Sequence, residues 1–308
     1  MIIICDNIDF AVKNGFGNYD DYSILKDNSI KIITDVLFGK NKKVCFSIDK
    51  RVKFWNYLFI IEFAEESQYD AIISLAQSKN IPDKLLCLAG SGKNFHGFHQ
   101  RKWEALQGNI HLTAYFKPNQ KIENFGTGFL ILSAISVVQS IDEIMALKHR
   151  ATIKWVNDIL IDNSKVSGVL AHAMSKGEIV TDAILGIGLN VESKPNIEAT
   201  SFIPNSACLN DFLSDDTKVE VKDVLVDLMN HLASNYILLS ENKYGTLLEM
   251  YKNRMNIFGK NIIVMTDERD GSSKFSCEGR VNDLGDNLEI FLDGVKEPIT
   301  GGRIIIKG

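Results

Sequence analysis

The spacing of apolar residues along this chain changes several times, and each change predicts an element. The first fifty residues mix short β-branched runs, Ile2-Ile3-Ile4 and 30–33, with turn clusters such as Asn14-Gly15 and Gly17-Asn18-Tyr19-Asp20. That texture predicts short strands and turns rather than packed helices. From Trp55 onward a strand is expected at Leu58-Phe59-Ile60-Ile61, a helix over 67–77 and a strand over 85–88. A polar segment over 90–109 precedes a strand over 110–116. A helix over 126–145 follows, apolar nearly all the way round, which predicts burial. Strands are expected over 153–155, 166–173 and 179–185.

Thr217 and Glu220 stand at capping-box spacing ahead of Val221, Val224, Leu225, Leu228, Leu232 and Tyr236, an apolar stripe at helical intervals. After Gly259 the period becomes two. Phe275, Cys277, Gly279 and Val281 alternate with polar residues, and turn pairs stand at Asp270-Gly271, Gly285-Asp286 and Asp293-Gly294. A small antiparallel barrel is predicted there. The chain thus divides into an N-terminal segment of short strands over 1–52, a main unit over 53–255 and a barrel over 256–308.

Composition narrows the function classes. With 308 residues, 45% hydrophobic and 24% charged, the chain has enough apolar surface for a real core, which excludes a disordered protein or a disulfide miniprotein. A net charge of -5 argues against sequence-blind adhesion to nucleic acid or an anionic membrane. Residues 1–50 contain no Arg, and their seven Lys are matched by seven Asp, so no DNA-reading helix-turn-helix is expected. The apolar stretch 129–138, interrupted by Ser133 and Ser136, falls short of the roughly 18 residues of a membrane span. The start of the chain lacks a basic n-region, so a cytoplasmic location is expected. Cys5, Cys45, Cys87, Cys208 and Cys277 are widely spaced, without a C-x-x-C pair, and read as reduced, buried thiols.

Several familiar motifs fail on inspection. Gly90-Ser91-Gly92-Lys93 suggests a phosphate loop, but Cys87 and Asn94 occupy positions where that loop needs Gly and Ser or Thr, so a turn is expected instead. Gly186-Ile187-Gly188 lacks the third glycine of a dinucleotide fingerprint, because position 191 is Val. His96 and His99 form an H-x-x-H pair with no third ligand nearby in sequence. No G-x-S-x-G elbow exists, and no Cys lies between 88 and 207. What remains is an ordered set of polar segments: Arg101-Lys102-Trp103, Gly108-Asn109, Lys154-Trp155-Val156-Asn157-Asp158, Lys165-Val166-Ser167-Gly168 and Gly186-Ile187-Gly188-Leu189-Asn190. On successive strands these can converge on one cleft. Each taken alone also suits a charged turn beside a buried Trp.

At these residues the chain resembles the biotin protein ligases. Lys154 to Asp158 is similar to that family's K-W-P-N-D, with Val156 in place of Pro; Lys165 to Leu170 to its K-[LV]-[AS]-G-[IV]-L; Gly186 to Val191 to its G-I-G-[IL]-N-V. Arg101-x-Trp103 with Gly108-Asn109 resembles its G-R-x-W…G-N. The family's loop G-R-G-R-x-G-R stands here as Phe95-His96-Gly97-Phe98-His99-Gln100-Arg101, and its E-S-T-N as Glu65-Glu66-Ser67-Gln68.

The resemblance implies an α+β fold, a central mixed or antiparallel sheet with helices (a biotin/lipoyl ligase-like catalytic domain), plus a small C-terminal SH3-like β-barrel. It implies an ATP-dependent ligase that adenylates biotin and transfers it to a lysine of a biotin carboxyl carrier protein or similar acceptor. No enzyme nucleophile is required, and positioned cations stabilise the developing phosphoryl charge.

On this reading Lys154 and Lys165 contact phosphate and acyl oxygens, Arg101 grips phosphate, and Asp158 holds Mg²⁺. Asn190 faces the adenine end. Ser67, Gln68 and Gly97 face the acyl end, and Trp103, Gly108, Asn109, Asn157 and Gly168 complete the binding set. The substrates and cofactors expected are ATP, Mg²⁺ and biotin, with no DNA or membrane partner and a homodimer left open. A lipoate or octanoate ligase, or a non-catalytic binding protein on the same scaffold, remains an alternative.

Overall fold

The structure is a computed structural model that describes residues 1–17, 20–21, 28–40, 42–50, 52–197, 200–202, 205–267 and 273–307. Its strands are β1 (Ile2–Cys5), β2 (Asp20–Asp21), β3 (Cys45–Ile48), β4 (Tyr57–Ala64), β5 (Leu85–Gly92), β6 (Ile110–Phe116), β7 (Gln120–Lys121), β8 (Ala151–Lys154), β9 (Asp158–Ile161), β10 (Ser164–Lys176), β11 (Ile179–Leu189), β12 (Asn205–Ser206), β13 (Asn261–Asp267), β14 (Ser273–Leu284), β15 (Ile290–Leu292) and β16 (Arg303–Ile306). The helices are α1 (Ile8–Lys13), α2 (Asn28–Leu37), α3 (Gln68–Ser78), α4 (Phe125–Asp142), α5 (Val221–Ser240) and α6 (Tyr244–Lys252).

One sheet runs β2-β3-β1-β4-β5-β6-β11-β10-β9-β8, with β7 added to β11 and β12 to β10. It is mixed: β4 runs parallel to β1 and β5, while β6, β11, β10, β9 and β8 alternate. Helices cover both faces. Along β4, Leu58 and Ile60 join a core shared with α4, α5 and α6, whereas Phe59 and Ile61 join a second core with α2 and α3. This two-sided burial explains why the strand reads as an unbroken apolar run. The four-stranded sheet β15-β14-β13-β16 is antiparallel throughout, the small C-terminal unit expected from the alternating pattern, and the overall class is α+β.

Helix α4 is apolar on all sides because it is enclosed on all sides. Ser133 and Ser136 donate back to the carbonyls of Phe129 (2.8 Å) and Leu132 (2.7 Å), and Asn235 of α5 donates to Ser136 Oγ (2.9 Å), so the polar groups inside the core are satisfied. By length and composition α4 is apolar enough to cross a membrane, which the shorter stretch 129–138 did not suggest. Its surfaces are occupied by the sheet, α5 and α6. All five cysteines are free, and Cys5, Cys87 and Cys208 are buried.

Several local expectations are corrected. Residues 30–33 are helical within α2, because Ile30, Ile33 and Thr34 bury one face at helical spacing. Asn7 accepts from Phe10 N (3.1 Å) and starts α1, a second helix in a segment expected to hold strands and turns. Gly90 and Gly92 continue β5 instead of forming a turn. A Cβ on Gly90 would lie 2.4 Å from the Phe10 ring, and one on Gly92 2.5 Å from the carbonyl oxygen of Ala64, so glycine is required by close approach.

The capping box of α5 is Glu220 with Asp223, one turn later than expected. The Thr217 hydroxyl is drawn back to Ser214 O (3.1 Å). Strand β9 was missed altogether, though Ile159-Leu160-Ile161 between turn residues carries its signal. The Asp270-Gly271 turn and residues 18–19 of the first turn cluster lie outside the described residues.

Candidate active site

The site is built on one face of β6, β11 and β10. Register places His111 opposite Gly188, Thr113 opposite Gly186, and Gly168 and Leu170 beside those two glycines. The glycines leave room for two rings. A Cβ on Gly188 would lie 2.3 Å from the Trp103 indole, one on Gly168 3.5 Å from it, and one on Gly186 3.0 Å from the Tyr69 ring. Trp103 and Tyr69 thus lie across a glycine floor in a cavity of about 260 Å³, walled by the start of α3, segment 95–103, Pro195, Ile197, Thr200, Phe202, Ser206 and Arg303. Trp103 Nε1 donates to His111 Nδ1 (3.3 Å), and His111 Nε2 faces Leu106 O (3.1 Å). This pairing fixes a neutral imidazole protonated at Nε2, in keeping with burial that lowers its pKa to about 4.

Gly188→Ala should displace Trp103 and raise the apparent Kd for an adenylate ligand about tenfold, from an overpacking cost of about 1–3 kcal/mol. Calorimetric titration checks this, and unchanged affinity would show that the indole position does not matter.

Cations gather at one end. The bulge in β10 between Lys165 and Ser167 sets Lys165 Nζ 2.5 Å from Asp158 Oδ1 and 5.7 Å from the Trp103 ring centroid. Lys154, at the end of β8, is buried and donates to Phe202 O. Its pKa is lowered by burial; Asp158 opposes this, and Lys165, Arg101 and Arg303 reinforce it. Four cations and one carboxylate therefore act on one another here, a net positive arrangement that suits a polyanion. Asp158 is the one carboxylate lining the cavity among the described residues, and it is ion-paired. The donor set does not fit a protein-held Mg²⁺ site, since the cavity offers Lys and Arg around a single paired carboxylate among the described residues.

Segment 95–103 folds back on itself. Trp103 N donates to Phe95 O (2.9 Å), Gly97 N to Arg101 O (2.6 Å) and Arg101 Nε to Phe98 O (2.9 Å), and the tip residues His99 and Gln100 have φ of 55° and 59°. His96 contacts Asp70 Oδ2 (2.8 Å) while His99 packs on Phe98, so the H-x-x-H pair does not converge on a metal.

Of the residues expected from sequence, Ser67, Gly97, Arg101, Trp103, Asn157, Asp158, Lys165, Gly168 and Asn190 line the cavity. Gln68 is buried and Lys154 lies against Phe202, neither on the lining. Gly108 and Asn109 do not reach it. Gly108 makes a turn at φ +85°, and Asn109 ties down the chain after β11 by accepting from Val191 N (2.9 Å) and Ser193 N (3.1 Å) and donating to Ser193 O (2.8 Å). Asn157 and Asn190 also brace backbone, donating to Val169 O (2.8 Å) and Ala207 O (3.0 Å). Sequence reasoning missed Tyr69, His111, Thr113, Phe202 and Arg303. His111 and Thr113 had a signal, as polar residues alternating within an apolar strand.

Residues 72–190 match the biotin/lipoate A/B protein ligase family. The bifunctional ligase/repressor BirA of Bacillus subtilis is 31% identical over 120 residues, covering 39% of this chain and 36% of that protein. The biotin--[acetyl-CoA-carboxylase] ligase of Paracoccus denitrificans is 27% identical over 103 residues, 33% of this chain and 42% of that one. The aligned regions span less than half the length of these curated relatives. The biotin protein ligase of Aquifex aeolicus, solved with biotin and ATP, superposes with a TM-score of 0.63 at 19% identity, covering 81% of this chain and 98% of that one. Residues 72–190 thus carry a domain similar to the biotin/lipoate A/B protein ligases, and the fold of a biotin protein ligase extends over most of the chain.

Proposed function

We propose that this protein is an ATP-dependent ligase that activates biotin as its acyl adenylate and transfers it to a lysine of a separate carrier protein. The observation that carries this reading is the junction of two chemistries in one cavity. At one end Lys165, Arg101 and Arg303 line the cavity, with Lys154 beside them against Phe202, and offer charge to a triphosphate. At the other, Ser67 and Thr113 line the cavity, are at least nine-tenths buried as residues, and make no side-chain hydrogen bond among the described residues. Buried polar groups without partners favour a ligand that supplies them, since leaving them unpaired costs about 1–3 kcal/mol each. A neutral cyclic urea, as in biotin, meets that need, whereas the alkyl tail of octanoate or the dithiolane of lipoate does not.

The reaction balances without a covalent enzyme intermediate. A biotin carboxylate oxygen attacks the α-phosphorus and pyrophosphate departs; the acceptor amine then attacks the acyl carbon, AMP departs and the amine loses a proton. No cysteine lines the cavity among the described residues, which agrees with this course. The residues bind, orient and stabilise charge: Lys165 is held by Asp158, and Trp103 is held by His111. The relative named as a biotin--[acetyl-CoA-carboxylase] ligase favours a biotin carboxyl carrier domain as acceptor. DNA reading is not part of the proposal, because β1 and β3 are spent on the sheet edge beside β4.

Pyrophosphate release from ATP should depend on biotin and not on lipoate or octanoate, and mass spectrometry should find biotin on the acceptor lysine. Equal release with lipoate would assign the protein to the lipoyl side of the family. ATP binding without release on any acid would leave it a binding protein.

A further inference from the structure

Arg303 reaches the cavity from the C-terminal sheet, far along the chain from the other lining cations. Its delivery is built into the fold. Gly302, at φ +110°, sits where a Cβ would come within 2.5 Å of Met265 O, and Arg303 then enters β16 paired with Met265 of β13. The guanidinium carbon stands 3.7 Å from the centroid of the Phe202 ring, and one Nη donates to Ser273 Oγ. Phe202 also touches the catalytic end, because its carbonyl accepts from Lys154 Nζ. Phe202 thus bridges the cation at the end of β8 and the cation at the start of β16.

We infer that Arg303 is a specificity-determining contact for the β- and γ-phosphates of the nucleoside triphosphate, which makes the C-terminal sheet a working wall of the adenylation site. The inference rests on the ligase reading above and goes beyond it. Lys154, Lys165 and Arg101 less Asp158 already exceed the single negative charge of an acyl adenylate. The triphosphate and the departing pyrophosphate carry several charges more, and a stacked guanidinium presents a planar fork suited to two phosphate oxygens. Arg303 therefore discriminates between the charge that enters and the charge that stays.

The test uses the full chain. In steady-state pyrophosphate-release assays, Arg303→Gln should raise the KM for ATP and weaken product inhibition by inorganic pyrophosphate about tenfold each. The KM for biotin and the half-time of retained adenylate should stay unchanged. Arg303→Lys, which keeps charge but not the fork, should fall between. Phe202→Leu leaves β16 intact and removes the platform, so it should reproduce part of the ATP defect even if Arg303→Gln unfolds the small sheet. An unchanged KM for ATP, or an equal loss of adenylate retention, would overturn the inference. If the wild type releases no pyrophosphate with any acid, the ligase reading fails, and calorimetric titration with inorganic pyrophosphate still compares wild type with Arg303→Gln.

Discussion

Lys165→Ala should slow pyrophosphate release about 100- to 1,000-fold at saturating ATP and biotin, the usual consequence of removing one positioned charge donor from a site shielded from water. The side chain is 18% exposed, and its ammonium lies between Asp158 and the Trp103 ring, so it is held before substrate arrives. Its loss acts twice. The transition state loses a cation, and Asp158 becomes an unpaired carboxylate facing phosphate, so repulsion replaces attraction. Asp158→Asn added to Lys165→Ala should therefore recover part of the lost rate, whereas Asp158→Asn alone should be milder than Lys165→Ala. Rapid-quench measurement of pyrophosphate in a single turnover isolates the chemical step. A Lys165→Ala protein with the wild-type rate would remove Lys165 from the mechanism.

The parts of the fold that the sequence displayed are those where one physical demand dominates. The strand 110–116 was legible to the residue, and α4 was legible as a buried helix because no face of it is polar enough to meet water. Where two demands compete, local pattern misleads. The β-branched run at 30–33 suits a strand locally, yet burial of Ile30 and Ile33 on one face makes it helical. The glycines at 90 and 92 suggest a turn, but neighbouring atoms require them within a strand.

The site shows the same division. Most of the motif residues do line one cavity, because β10 and β11 pair in a register that sets Gly168 beside Gly188. Their tasks were less legible. Asn109 is placed to hold Asn190 and its loop by backbone bonds that no spacing rule announces. Arg303 was invisible, since nothing near residue 303 in sequence says that the last strand turns back to a cavity formed mostly by residues 67–206.

Acid should destabilise this protein through His111 before it protonates the ring in the folded state. Burial lowers the His111 pKa from 6.5 to about 4, although the contact with Leu106 O works in the opposite direction. Above pH 6.5 the ring is neutral whether the chain is folded or unfolded, and it contributes no pH dependence. As pH falls through 6.5 the unfolded chain gains a proton that the folded chain refuses, so stability declines, and the decline is complete only below pH 4. The full loss is roughly 3 kcal/mol, of which roughly 2 kcal/mol is gone by pH 5.

His111→Gln preserves the chemistry without the titration. A carboxamide oxygen can accept from Trp103 Nε1 and its NH₂ can donate to Leu106 O, the two bonds that the neutral imidazole makes. In urea unfolding, wild type should therefore lose roughly 2 kcal/mol more than His111→Gln between pH 7.5 and 5. Parallel stability curves over that range would show that the imidazole is not held neutral. Ligand binding should follow at lower pH, because a protonated Nδ1 turns an acceptor into a second donor facing the indole N–H. Trp103 then loses the bond that keeps it across Gly188, and the cationic end of the cavity loses the ring beside Lys165.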